Sequence, residues 1–401
     1  MENMDYKLLI DTAALAGTVM LENGAEIYRV EETINYILKV SGLKTTQAFV
    51  ISTGFMISLD DPDIDALTVV RRVNKSTTNL NMIASVNDIS RKFYKGEITL
   101  EEAFYQIKHL KRNVYPWWLK DICIILGVAF FTGMFGGNWQ DMFYTGIVGL
   151  CLVGWLHIGK VTEFNDLIQD LISSVIISVI ASLFVRFNPQ LHLNHVIVGA
   201  IMVLVPGAAI TNAIRDTLHG DYAAGNAKIL ESFCPCSNDC TWCICRISYN
   251  GRCCEMIMQC IFAFCAIISF SVINEAPKKC LFINGVLGMA GWAVYLYIDR
   301  ISTMLTATFV SGLVLAVASH ILARILKTPV TTMLIPAILT IVPGAGMYQT
   351  VYNLFLSDMD GALSSLVYTI GAAGAIAIAI FLVDAFVVAI KKIVKKRPQT
   401  D

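Results

Sequence analysis

The sequence predicts an all-α polytopic membrane protein of about ten transmembrane helices in two inverted five-helix repeats, preceded by a small α/β soluble domain. Three observations predict it. The chain is 56% hydrophobic and only 15% charged over 401 residues, too apolar for an ordinary water-soluble protein. Its charges cluster before residue 116, and the remainder is a series of apolar runs of about 20 residues, the length that spans a bilayer. The run Val205-Pro206-Gly207-Ala208 returns 137 residues later as Val342-Pro343-Gly344-Ala345.

Residues 1–115 have the length for a core of their own. Met1–Asp11 carries acidic residues and lacks a basic start, so no secretory signal is expected there. Leu8–Glu22 shows helical spacing and stops at Asn23-Gly24, and a second helix is expected over Ala25–Val40, before Gly42. Gln47–Leu59, rich in β-branched and aromatic residues, reads as one or two strands. Asp60–Asp63 reads as a turn and Leu67–Val73 as a further strand. Leu80–Tyr94 follows as a helix, and Thr99-Leu100-Glu101-Glu102 is a capping box opening another that runs to Leu110.

Beyond Pro116 the charges and turns delimit spans near 118–136, 142–159, 167–186, 194–212, 256–273, 280–298, 303–323, 330–350 and 363–389. The basic tail after residue 390 and the Lys108–Lys120 stretch both favour the cytoplasm, which demands an even number of crossings and hence ten. With ten, the inner loops carry Lys160, Arg215, Lys228, Lys278, Lys279, Arg324 and Lys327, the outer ones only Arg186 and Arg300. The division is then 1–115, a first membrane repeat 116–252, a second 253–390 and the cytoplasmic tail 391–401. The 137-residue offset recurs at Gly154-Trp155 and Gly291-Trp292, at Ala181-Ser182 and Ala318-Ser319, and at Asp221 and Asp358. Five spans per half is odd, so the second half enters the membrane upside down relative to the first.

The missing fifth span of the first half falls on a Cys-rich stretch, with seven of the twelve cysteines between Cys234 and Cys254. The Cys240-Thr-Trp-Cys243 pair admits a zinc site, and a disulfide knot is the alternative. A third reading comes from the codons. Shifted by one base, cysteine codons give Val or Ala, so a frame-shifted stretch would encode the apolar helix that the repeat requires.

Pro-Gly inside an apolar run removes a backbone donor and breaks the helix. Such a break is tolerated in hydrocarbon only against protein or a water-filled cavity. The candidate substrate-binding residues are therefore Pro206, Gly207, Thr211, Asn212, Arg215 and Asp216 in the first half, and Pro343, Gly344, Tyr348 and Gln349 in the second. Arg215 could hold a carboxylate through paired donors, and it could equally serve a structural ion pair with Asp216. Proton coupling needs a titratable group within the membrane. His320 and Asp384 are the candidates, ahead of Asp121, Glu163, Asp166 and Asp170. An exposed Arg29/Glu31 pair in the N-terminal domain admits an enzymatic reading, though a helix-surface pair is the plainer one.

No nucleophile–base pair, Walker loop or metalloprotease motif is present, so neither an enzyme nor an ATP-driven pump is expected. No cofactor and no resident metal are expected, and the net charge of −1 argues against a nucleic-acid partner.

The order of parts resembles the threonine/serine exporter family, whose related two-component exporters handle dicarboxylates such as succinate. The residues that carry the resemblance are Gly24-Ala25, Tyr28-Arg29-Val30-Glu31 and Gly42, then Val205-Pro206-Gly207-Ala208, Asn212, Arg215-Asp216 and Gly220-Asp221. In the second half they are Gly291-Trp292, Lys327-Thr328-Pro329 and Val342-Pro343-Gly344-Ala345-Gly346-Met347-Tyr348. The resemblance covers about residues 5–390. The Cys-rich stretch departs from it, since the family has an apolar span there. It implies a proton-motive-force-driven secondary exporter of threonine or serine, working by alternating access as an antiporter in the plasma membrane. A dicarboxylate exporter is the alternative, followed by a membrane-anchored hydrolase-like or zinc-binding regulatory protein. The expected partners are the small substrate, protons and membrane lipid. The assembly is left open between monomer and homo-oligomer.

Overall fold

The computed structural model describes residues 5–62, 64–73, 77–112, 114–162, 166–204, 253–355 and 357–396. The expectations placed on Pro206, Gly207, Thr211, Asn212, Arg215, Asp216 and the Cys-rich stretch up to residue 252 lie outside the described residues.

The N-terminal unit comprises α1 (Tyr6–Glu22), α2 (Ile27–Leu38), β1 (Thr45–Ile51), β2 (Gly54–Asp61), β3 (Ile64–Arg72), α3 (Leu80–Tyr94) and α4 (Leu100–Lys108). Helix α1 ends at Asn23, and Gly24 follows with φ of 79°, a left-handed conformation that glycine adopts without strain. The Thr99/Glu102 capping box forms reciprocally at the start of α4. The strands make an antiparallel meander in the order β1-β2-β3. The expected α/β unit is therefore of the α+β kind: its connections are tight turns, and no helix crosses over between strands. Phe55, Ile57 and Leu59 of β2 face the helices, whereas Phe49, Met56 and Val70, neighbours across the three strands, are exposed on the other face.

The apolar part contains α5 (Trp117–Met134), α6 (Trp139–Thr162), α7 (Asp166–Phe187), α8 (Leu193–Ile201), α9 (Cys253–Ile273), α10 (Leu281–Asp299), α11 (Met304–Leu326), α12 (Thr331–Ile338), α13 (Gly344–Phe355) and α14 (Met359–Lys396). Seven helices among the described residues, α5, α6, α7, α9, α10, α11 and α14, are long and apolar enough to cross a bilayer. The outer side of α7 exposes Val175, Val179 and Leu183 one turn apart, a stripe suited to lipid. Within the expected span 330–350 the helix is interrupted, as its Pro-Gly pair predicts, and of the span 194–212 the described residues, to 204, hold one short helix. Helix α8 passes into a turn after Ile201, and the second run divides into α12 and α13 around Leu339–Pro343.

Helices α5 to α8 begin at residues 117, 139, 166 and 193, and α9 to α12 at 253, 281, 304 and 331, close to the offset seen in the sequence. Contacts at the helix ends fix directions. The carboxylate of Glu275, just after α9, accepts the amides of Val114 (2.8 Å) and Tyr115 (3.3 Å), just before α5, and ion-pairs with Lys120. Helices α5 and α9, which pack along each other, therefore run antiparallel. Helix α12 starts at this same end, where Ile335 joins the core of the N-terminal unit. Helix α8 starts at the far end, beside the first turn of α6.

The N-terminal unit is bolted to the apolar part. The amides of Leu80 and Asn81, opening α3, donate to the carbonyls of Asn274 and Glu275 at the end of α9 (3.1 and 3.0 Å). The positive end of one helix dipole thus meets the negative end of another.

At the far end, α8 crosses α5 at Gly199, where an added Cβ would lie 2.8 Å from the Thr132 amide nitrogen and 2.9 Å from its Cα. Gly199→Ala must push the two backbones apart, so it is expected to destabilise the protein by about 2 kcal/mol. The melting temperature of detergent-purified protein checks this, and an unchanged value would contradict the packing.

Candidate transport site

The break in the second half is built by sequence. Pro336 lies inside α12, and Pro343 has no amide to continue a ladder. Between them the backbone tightens, with Ile341 N–H donating to Ile338 O at 3.0 Å and Gly344 N–H to Val342 O at 2.8 Å. Met347 N–H then donates to Pro343 O (3.2 Å) and closes the first turn of α13. The amides of Ala345 and Gly346 precede the intrahelical ladder, as first-turn amides do. Leu339, Ile341 and Val342 are buried, so this open helix start lies inside protein.

Helix α13 reaches across to the first half. Met347 and Tyr348 share one buried cluster with Val196, Ile197, Ala200 and Ile201 of α8. The structure thus brings the second Pro-Gly element against the apolar run that precedes the first. Tyr348 stacks on Tyr352 (6.3 Å between centroids, 11° between planes), and both are buried. Pro343 and Gln349 are half-buried and Gly344 is buried. One turn beyond Gln349, Asn353 donates to Ser365 Oγ (3.3 Å), while its buried amide oxygen has no hydrogen-bond partner. Asn353 was not among the expected binding residues, although it follows the second Pro-Gly copy at helical spacing.

The structure brings the two proton-coupling candidates together. His320 of α11 and Asp384 of α14 lie 2.6 Å apart (Nε2 to Oδ1), each about one-seventh exposed. Two further His–carboxylate contacts occur in the helices. Asp121 meets His157 at 2.8 Å near the end that carries the N-terminal unit. At the far end Asp141 meets His192 at 3.0 Å and lies 3.8 Å from His195. Asp141, His192 and His195 were not among the expected site residues. Their local signals were legible: Asn138 and Asp141 have capping-box spacing, and His192 and His195 lie three apart at a helix start.

Arg29 is not the exposed pair member expected. Its side chain is 12% exposed, and it lies 3.7 Å from Glu32, on the same helix, with its guanidinium over the Tyr28 ring. Burial acts to lower its pKa, but Tyr28, Glu26 and Glu32 outweigh this and the net shift is upward, keeping it charged. Glu31 is half-buried on the same helix. Arg29 thus packs on its own helix, α2.

The chain is similar to known proteins. The threonine/serine exporter family model ThrE matches residues 11–236, and a second, described as "Threonine/Serine exporter, ThrE", matches residues 259–386. The chain is 24% identical over 216 residues to a Klebsiella aerogenes protein named "Probable succinate transporter subunit YjjP", covering 52% of this chain and 81% of that one. It is 22% identical over 219 residues to the Escherichia coli K12 protein of the same name, covering 53% and 83%. An uncharacterised Schizosaccharomyces pombe protein, C16A10.01, is 19% identical over 239 residues, covering 56% of this chain and 28% of its own length. No solved structure matches.

Proposed function

Because the chain belongs to the threonine/serine exporter family, we propose that it is a proton-driven secondary exporter of small amino acids, working by alternating access of two inverted halves. The observation that carries this reading is the interrupted α12–α13 element, whose open helix start is buried and whose Tyr348 packs against α8 of the other half. Amides at a helix start favour a carboxylate. In this reading Ala345 and Gly346 receive the substrate's carboxylate, with Pro343 and Gly344 setting the break and Tyr348 and Gln349 meeting the polar groups. Pro206, Gly207, Thr211, Asn212, Arg215 and Asp216 complete the site from the first half, and His320 with Asp384 carries the proton.

The antiparallel course of α5 and α9 supports the inverted arrangement, with residues 116–252 and 253–390 as its halves. The N-terminal unit to residue 115 and the tail from 391 then both face the cytoplasm from a plasma-membrane protein. Threonine and serine are the first substrates to consider. The names of the bacterial relatives favour a dicarboxylate such as succinate as the second, and its carboxylates suit the same amides. Membership of a transporter family favours carriage over the anchored-hydrolase alternative.

Counterflow of labelled threonine, serine and succinate in proteoliposomes tests the proposal. Uptake of threonine or serine is expected, and Pro343→Leu, which lets the helix run on through the break, lowers it at least about tenfold, a loss of about 1.4 kcal/mol. Succinate uptake alone would replace the substrate and keep the mechanism. No uptake of any of the three would overturn the reading.

A further inference from the structure

The far end of the helical bundle carries a set of donors that the transport reading does not use. Asp141, in the first turn of α6, is completely buried. Its Oδ1 accepts the amide of His192 at 2.9 Å, and its Oδ2 accepts the amide of Asn138 at 3.0 Å. The same Oδ2 lies 3.0 Å from His192 Nδ1 and 3.8 Å from His195 Nδ1. One ligand atom from each of Asp141, His192 and His195 falls within 4.8 Å of the other two. Three side chains from two helix starts therefore converge on one point.

Hydrogen bonding alone leaves this arrangement incomplete. Oδ2 already holds the Asn138 amide and the His192 ring nitrogen. The third donor, His195 Nδ1, is too distant for a bond, and it is buried with no hydrogen-bond partner. A buried ring nitrogen without a partner is costly. A divalent ion removes the conflict, because it takes the lone pair of each neutral imidazole together with the carboxylate charge. One carboxylate oxygen and two imidazole nitrogens form a donor set suited to the zinc class of ions. The two backbone amides on Asp141 supply the outer shell that fixes a ligating carboxylate. His192 is 60% exposed in its side chain, which gives an ion a way in and leaves positions for water.

We propose that Asp141, His192 and His195 bind a divalent transition-metal ion of the zinc class at the end of the bundle remote from the N-terminal unit. The ion would clip the start of α6 to the start of α8, the short helix that leads toward the first Pro-Gly element. The inference does not depend on which substrate is carried.

The probe is Co2+, titrated into full-length purified protein whose thiols have been alkylated so that the Cys-rich stretch does not compete. The expected result is a single Co2+ with visible d–d bands, no sulfur-to-cobalt charge-transfer band, and displacement by Zn2+. His195→Gln and His192→Gln are expected to weaken binding at least about 100-fold, more than the loss of an outer-shell partner. Asp141→Asn does the same where it folds; His192, being exposed, gives a variant whose folding is not at issue. Absence of Co2+ binding, or affinity unchanged in both histidine variants, would overturn the site. So would binding that disappears once the thiols are blocked.

Discussion

Asp384→Asn is expected to uncouple transport from the pH gradient while leaving substrate counterflow near the unmodified rate. A carboxylate inside a membrane span is expensive and is retained only with a partner, and here the partner is an imidazole 2.6 Å away. A hydrogen-bonded imidazole and carboxylate can pass a proton between them. Asparagine keeps the shape of the side chain and still bonds to His320, but it cannot titrate. Uptake driven by an imposed pH gradient should fall at least about tenfold, the equivalent of about 1.4 kcal/mol of lost coupling. His320→Gln should give the same defect, and the double variant should be little worse than either, because the two act as one unit. Gradient-driven uptake equal to that of the unmodified protein in both single variants would remove the pair from the mechanism.

Glu275→Ala is expected to produce the largest loss of stability. The Glu275 side chain is 4% exposed and carries three contacts: the amides of Val114 and Tyr115 and the ammonium of Lys120. Removing it leaves Lys120, itself only 27% exposed, without that partner, and two amides without an acceptor. Breaking such a pair from one side costs about 3 kcal/mol. Nearby, Tyr115 donates its hydroxyl to Ala276 O at 2.7 Å. Burial and then the charge of Glu275 push its pKa up to about 12, so the phenol keeps its proton at neutral pH. Thermal unfolding and limited proteolysis of the 110–116 link should both report the change, with cleavage accelerated in Glu275→Ala and less so in Glu275→Gln, which can still accept the two amides. Unchanged melting and unchanged proteolysis would show that this contact does not hold the N-terminal unit.

The spans were legible because a bilayer demands runs of about 20 apolar residues, and the chain supplies them between charges. The break at Pro343 was legible for a local reason, the missing amide. The α3 boundaries and the Thr99 capping box were read from local spacing alone. What local spacing does not encode is partnership across the bundle. His320 and Asp384 are 64 residues apart, and each was proposed separately as a proton carrier. Asp141 and His192 are 51 apart and gave only capping and i,i+3 signals by themselves. The burial of Arg29 escaped the sequence for a different reason: an arginine beside glutamates on an amphipathic helix reads as surface.

The bonding of α3 to the end of α9 has a mechanical consequence. Ala276 and Ile335, which belong to the membrane part's second half, are built into the hydrophobic core of the N-terminal unit. Among the described residues that unit is thus joined to the second half by its core and to α5 through the chain leading into that helix. In the proposed alternating-access cycle the three-stranded sheet swings with the second half like the pointer of a balance. A binder raised against the exposed face of Phe49, Met56 and Val70 would load that pointer, and so offers a handle for slowing or freezing the cycle from a surface far from the substrate.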